Sequence, residues 1–136
     1  MDTHEHVRAH LLSFPGAFEC FPFGPETAVF KVAASKDSTG KVFALLWLSA
    51  DGLRLNLKCD PALAQQLRSA YVEVEPGYHM NKRHWNSVVL ERAWTSGQAG
   101  LHFEQVCDMA EDSYDLVVSA LPKKDRLRLD WHPERP

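Results

Sequence analysis

The first regular pattern along the chain is a helical one: apolar Val7, Leu11 and Phe14 recur at three- and four-residue steps and stop at Pro15-Gly16. That spacing lays one stripe along one side of a helix, and Asp2 with Glu5 three residues later makes a capping-box start. The period then shortens. Phe18–Phe21 reads as a short strand and Thr27–Val32, rich in β-branched and aromatic side chains, as a longer one. Val42–Leu48 is apolar on both alternating sets, which predicts a central strand covered on both faces. Leu53, Leu55 and Leu57 alternate with Arg54, Asn56 and Lys58, which predicts leucines toward the core and three polar groups on a wet face. The polar turn Ser35–Gly40 and the turn Ala50-Asp51-Gly52 separate these runs, so they form an antiparallel meander.

Asp60-Pro61 starts a second helix, because Asp accepts from the free N–H groups of the first turn and Pro at the first helical position loses no bond. Leu63, Leu67 and Ala70 supply its buried stripe. Pro76-Gly77 interrupts the chain, Ser87–Leu90 returns to strand character, and Thr95–Gly100 is a loop. The last helix carries Phe103, Val106, Cys107, Ala110, Tyr114, Val117 and Leu121 on one face, ends at Pro122, and has Lys123 and Lys124 near its negative dipole end. This order predicts an α+β fold: an antiparallel sheet with helices packed on one side. A single domain is expected over residues 1–124, followed by a polar tail over 125–136.

A chain of 136 residues with 45% hydrophobic side chains and four Trp can bury a core without disulfides or metal. Its Cys20, Cys59 and Cys107 form no CxxC pair and an odd set, which fits free thiols in a reducing, cytoplasmic setting. The N-terminus lacks the pattern of a secretory signal, and no apolar run is long enough to span a bilayer. No nucleophile elbow, P-loop or dinucleotide fingerprint occurs, so neither catalysis nor a cofactor is expected. Of the seven His, His6 and His10 share a helix face without enough carboxylates nearby, and His79 and His84 flank a basic pair that would repel a cation; no metal site is expected.

The net charge of −3 argues against a globally basic nucleic-acid binder but not against a local cationic face. Such a face is offered by Pro76-Gly77-Tyr78-His79-Met80-Asn81-Lys82-Arg83-His84-Trp85-Asn86, which has no acidic residue. Lys82 and Arg83 are suited to phosphates, His79 and Asn81 to hydrogen bonds, and Trp85 or Tyr78 to stacking or anchoring. Arg54, Asn56 and Lys58 would add to the surface if their strand face lies alongside, and Lys123, Lys124, Arg126 and Arg128 could add a basic tail diluted by Asp125 and Asp130. The same segment can instead be a structural loop anchored by Tyr78, Met80 and Trp85.

Several motifs in one order resemble the MmcQ/YjbR family of small bacterial proteins: Phe21-Pro22-Phe23-Gly24-Pro25-Glu26-Thr27, Val29-Phe30-Lys31-Val32, Leu55-Asn56-Leu57-Lys58-Cys59-Asp60-Pro61, the Pro76–Asn86 segment, and Ser113-Tyr114-Asp115-Leu116-Val117. The resemblance implies a YjbR-like fold of frataxin-like (CyaY-like) topology and a non-enzymatic, DNA-binding role through two β-hairpin wings. Frataxin-like iron handling would need acidic residues on the first helix, and Val7–Phe14 has none. The expected partner is DNA, bound weakly and without sequence preference. The alternatives are a small anionic ligand held by Asn56, Lys58, Lys82, Arg83 and Trp85, or a protein partner meeting exposed aromatics. The sequence leaves the oligomeric state open.

Overall fold

The computed structural model describes residues 3–35, 39–49, 52–77, 80–90 and 101–130. Helix α1 (Thr3–Leu12) precedes β1 (Ala17–Cys20), β2 (Thr27–Val32), β3 (Lys41–Ser49) and β4 (Gly52–Lys58). Helix α2 (Pro61–Ala70), β5 (Val74–Pro76), β6 (Trp85–Val89), α3 (Phe103–Ser119) and the short α4 (Lys123–Arg128) complete the order. The six strands form one sheet, β1-β2-β3-β4-β6-β5, antiparallel at every pairing.

The leucine alternation on β4 sets one face of the core. Leu55 lies opposite Leu46 and Val88, and Leu57 opposite Ala44 and Asn86, so one side chain per strand points to the helix layer at each step. Against this face Val7 and Leu11 of α1 pack with Val106, Ala110, Tyr114 and Val117 of α3, all buried. Tyr114 stacks on Phe14 at 4.8 Å, meets Phe43 edge-on at 5.5 Å, and donates its hydroxyl to Pro15 O at 2.6 Å. A buried aromatic with its polar tip satisfied combines large apolar area with no desolvation cost.

Several expectations change in the folded chain. Helix α2 buries Ala64, while Leu63 and Leu67 are half-buried and Ala70, at its last turn, is exposed; Asp60 caps its start, its carboxylate accepting from Leu63 N. The strand β5 had no hydrophobic pattern to announce it; in the sheet its three residues pair with β6, and Val74 is buried in the core. Lys123 and Lys124 open α4 instead of closing α3, and Leu129 is buried against Gly16 and Val32, so the expected tail is folded through residue 130. Glu73 is buried at 1% exposure; its carboxylate accepts from Leu101 N at 3.0 Å and so ties the start of β5 to the start of α3. The Asp2 cap, the centre of the Ser35–Gly40 turn, the Ala50-Asp51 pair and the Thr95–Gly100 loop lie outside the described residues.

Candidate functional site

The segment singled out in the sequence is the connection between β5 and β6. Gly77 N donates to Trp85 O at 2.9 Å and His84 N to Asn81 O at 3.2 Å, while Cys59 N donates to His84 O at 2.7 Å and fastens the connection to the end of β4. Gly77 is required by proximity: a Cβ there would sit 2.7 Å from the Trp85 Cβ and 2.8 Å from its carbonyl oxygen. Asn81 closes the tip by accepting from Arg83 N at 2.9 Å, a side-chain mimic of a backbone turn.

The main anchor is a residue that no sequence motif marked. Arg68, on α2, donates through Nε to Asn86 Oδ1 at 2.6 Å, and one terminal nitrogen reaches Trp85 O at 3.2 Å and also Lys82 O. Asn86 in turn donates to Ala64 O at 3.4 Å. A planar guanidinium serves several acceptors without reorienting. The only sequence signal was a lone cation on a helix otherwise read for its apolar stripe.

Lys82 and Arg83 are both exposed at this tip. Lys82 Nζ leans back to Gly77 O at 3.3 Å, leaving further ammonium donors, and neither residue is ion-paired among the described residues. Asn81 is exposed but its side-chain oxygen is used by the turn, and Trp85 is half-buried, paired in register with Lys58. Tyr78 and His79 lie outside the described residues.

The wet strand face expected from Arg54, Asn56 and Lys58 is not formed. Arg54 is paired with Glu75 at 2.7 Å and also donates to Ser49 Oγ at 3.2 Å. Asn56 is 1% exposed and accepts from the equally buried Ser87 hydroxyl. The alternation was real, but β4 is a central strand, and its polar side chains pair with polar partners on or near neighbouring strands instead of with water. Lys58, at the strand end, stays half-exposed with its backbone N–H satisfied by Ser113 Oγ at 2.9 Å.

Cys59, Asp60, Asp112 and Asp115 line a groove beside this connection, on the helix side. Burial, then the charges of Asp112 and Asp60, push the Cys59 thiol up to about 11 against an opposing pull from Arg68. At pH 8 the thiolate should be about 100-fold scarcer than at an ordinary cysteine. Native thiol titration is therefore expected to leave Cys59 unmodified at pH 8 until the chain is unfolded; prompt modification would contradict the burial. A thiol that holds its proton longer in the fold costs stability once pH rises above the unfolded value near 9, and the loss continues to about 11. Asp112 is likewise held above the usual carboxylate range, first by burial and then by Asp115, Asp108 and Glu111.

Among the described residues no group of three His, Cys, Asp or Glu side chains is placed to hold a metal ion, and no helix is long and apolar enough to cross a membrane. His6 and His10 instead lie against Phe103, with ring centroids at 5.7 and 6.5 Å.

Comparison with known proteins agrees with this architecture. The chain is 35% identical over 126 residues to YbdF of Escherichia coli O157:H7, covering 93% of each chain. It is 34% identical over 125 residues to YyaQ of Bacillus subtilis, covering 86% of this chain and 99% of that one. The crystal structure of Deinococcus radiodurans protein DR2400 superposes with a TM-score of 0.80 at 34% identity, over 97% of this chain and 91% of that one. A Pseudomonas syringae protein superposes at 0.64 and 26% identity, over 86% and 99%. Residues 12–116 match the YjbR family, and with that span and these relatives the chain belongs to the YjbR family.

Proposed function

We propose that this protein is a non-enzymatic DNA-binding protein that contacts phosphates through the β5–β6 connection, without reading base sequence. The observation that supports it is the placement of Lys82 and Arg83: adjacent, exposed, on a turn whose backbone is pinned from α2, and unpaired with any carboxylate among the described residues. Pre-positioned cations of this kind displace the counterions condensed on DNA and bind every sequence about equally. Arg54 and Asn56 are withdrawn from the DNA-facing set because their polar groups are engaged inside the fold. The pocket for a small anion loses support for the same reason, since it needed Asn56.

The test is fluorescence anisotropy of labelled duplex DNA at low salt, with Lys82→Ala/Arg83→Ala as the variant. The double variant is expected to bind at least about tenfold more weakly. Its log–log salt slope should be shallower by about 1.8, because each phosphate that is no longer neutralised removes about 0.9. Unchanged affinity in a folded double variant would remove the turn from any role in DNA binding. A slope near one, equal for duplex and for a short phosphorylated ligand, would favour a small-anion site.

A further inference from the structure

We infer that this protein forms a two-fold symmetric homodimer through the end of the sheet away from the cationic turn, with the aromatic tip Phe21-Pro22-Phe23 of each copy seated in an apolar groove of the other. This dimer stands apart from the DNA-binding reading and does not depend on it. It gives a role to a segment that the sequence singles out and the fold leaves outside its core.

The tip is built to hold its shape. Gly24 N donates to Phe21 O at 3.3 Å and Thr27 N to Gly24 O at 3.4 Å, so two turns follow one another between β1 and β2. Pro22 and Pro25 each stand second in their turn, where a fixed φ suits the bend. Gly24 joins the two turns at φ 110°, a conformation that a residue with a Cβ rarely adopts. This stiff connection presents Phe23 at 73% exposure and Phe21 at 48%. Roughly 250 Å² of ring therefore stays in water, where it adds nothing to the core and works against solubility. A ring held out on a preformed turn loses little entropy when a partner covers it, which is the property of an interface anchor.

The socket lies beside the knob. Helix α1, the double turn and the ends of β3 and β4 enclose a groove of about 500 Å³, floored by Ala28, Leu46 and Leu53, with Leu48 exposed at 71% on its rim. Because knob and socket share one end of one molecule, a two-fold axis beside them seats each Phe23 in the other copy's groove and closes the pair. The charges suit the same axis. His4 stands on the helix wall of the groove and Glu26 on the turn wall, both exposed and neither ion-paired among the described residues. Arg8, also on the helix wall, is held by Glu19 of its own chain at 2.7 Å. A half rotation brings the turn wall of one copy against the helix wall of the other, so Glu26 meets His4 twice across the interface. On β4 the groove end at Leu53 lies on the order of 20 Å from Lys58 and the cationic turn, so Lys82 and Arg83 of each copy stay clear of the interface.

Sedimentation of the full chain over a concentration series tests this. The two rings supply about a third of the roughly 800 Å² per partner of a standard interface, with the groove floor and rim adding to it, so a weak dimer is expected, with a Kd on the order of 10–100 µM. Phe23→Glu and Leu48→Glu should each weaken it by at least about tenfold. Val72→Glu, at an apolar position as exposed as Phe23 but outside the groove, should leave the Kd unchanged. Glu26→Lys should weaken the dimer severalfold, and adding His4→Glu should restore it, because the same walls then meet with their signs exchanged. Thermal melts confirm that each variant is folded. A monomer at every concentration up to about 1 mM overturns the inference and leaves the groove to a different apolar partner. So does a dimer that is indifferent to Phe23→Glu or lost in Val72→Glu. Failure of the charge exchange to rescue Glu26→Lys overturns the two-fold arrangement.

Discussion

Ser113→Ala is expected to lower the melting temperature by roughly 10 °C, a larger effect than most single hydroxyl deletions. Ser113 is fully buried on α3, and its Oγ accepts from Lys58 N at 2.9 Å while donating to Phe43 O at 2.6 Å. The β3–β4 ladder pairs Ala44 with Leu57, and the next step along it would place Phe43 against Lys58. The strands part at that step, and the hydroxyl bridges the gap in place of the direct backbone bond. Removing it strands a buried donor and a buried acceptor together, each worth about 1–3 kcal/mol when unpaired. The two losses combine to about 2–6 kcal/mol if the strands stay apart. Calorimetry reads the outcome directly. A loss under about 1 kcal/mol would mean that β3 and β4 close and form the missing bond themselves.

Much of the fold was legible because its signals are local. The stripe Phe103, Val106, Ala110, Tyr114, Val117 and the Asp60-Pro61 start depend only on periodicity and capping, and both appear where expected. The α+β class followed from the order of those elements. What the sequence hid depends on topology. Arg54 and Asn56 look like solvent-facing residues until β4 is known to be central, and then burial forces each to find a polar partner. β5 is too short to show a period, and Leu129 sits in a polar stretch yet is buried. The candidate site divided the same way. Lys82 and Arg83 could be found from a cationic run without acids. Arg68 could not, since nothing in the sequence places the middle of α2 next to that run.

Arg68→Ala is expected to destabilise the fold by about 2–3 kcal/mol and to abolish most of the DNA affinity attributed to the turn, although Arg68 is not assigned any phosphate. Its fork is the donor to Asn86 Oδ1, Lys82 O and Trp85 O, and Asn86 is buried at 2% exposure. Arg68→Lys keeps the charge but offers a point donor in place of a fork, so it should recover only a minor part of either loss. Cys59 separates a positioning role from a purely electrostatic one. The positive charge of Arg68 pulls the Cys59 thiol down, so loss of charge alone would raise the thiol further and slow its modification. Release of the connection would act the other way, because Cys59 N is bonded to His84 O and the thiol is exposed once that bond opens. Faster thiol modification in Arg68→Ala, with raised amide exchange confined to residues 80–86, is the expected result. Slower modification with unchanged exchange would show that the turn holds its shape without this clamp.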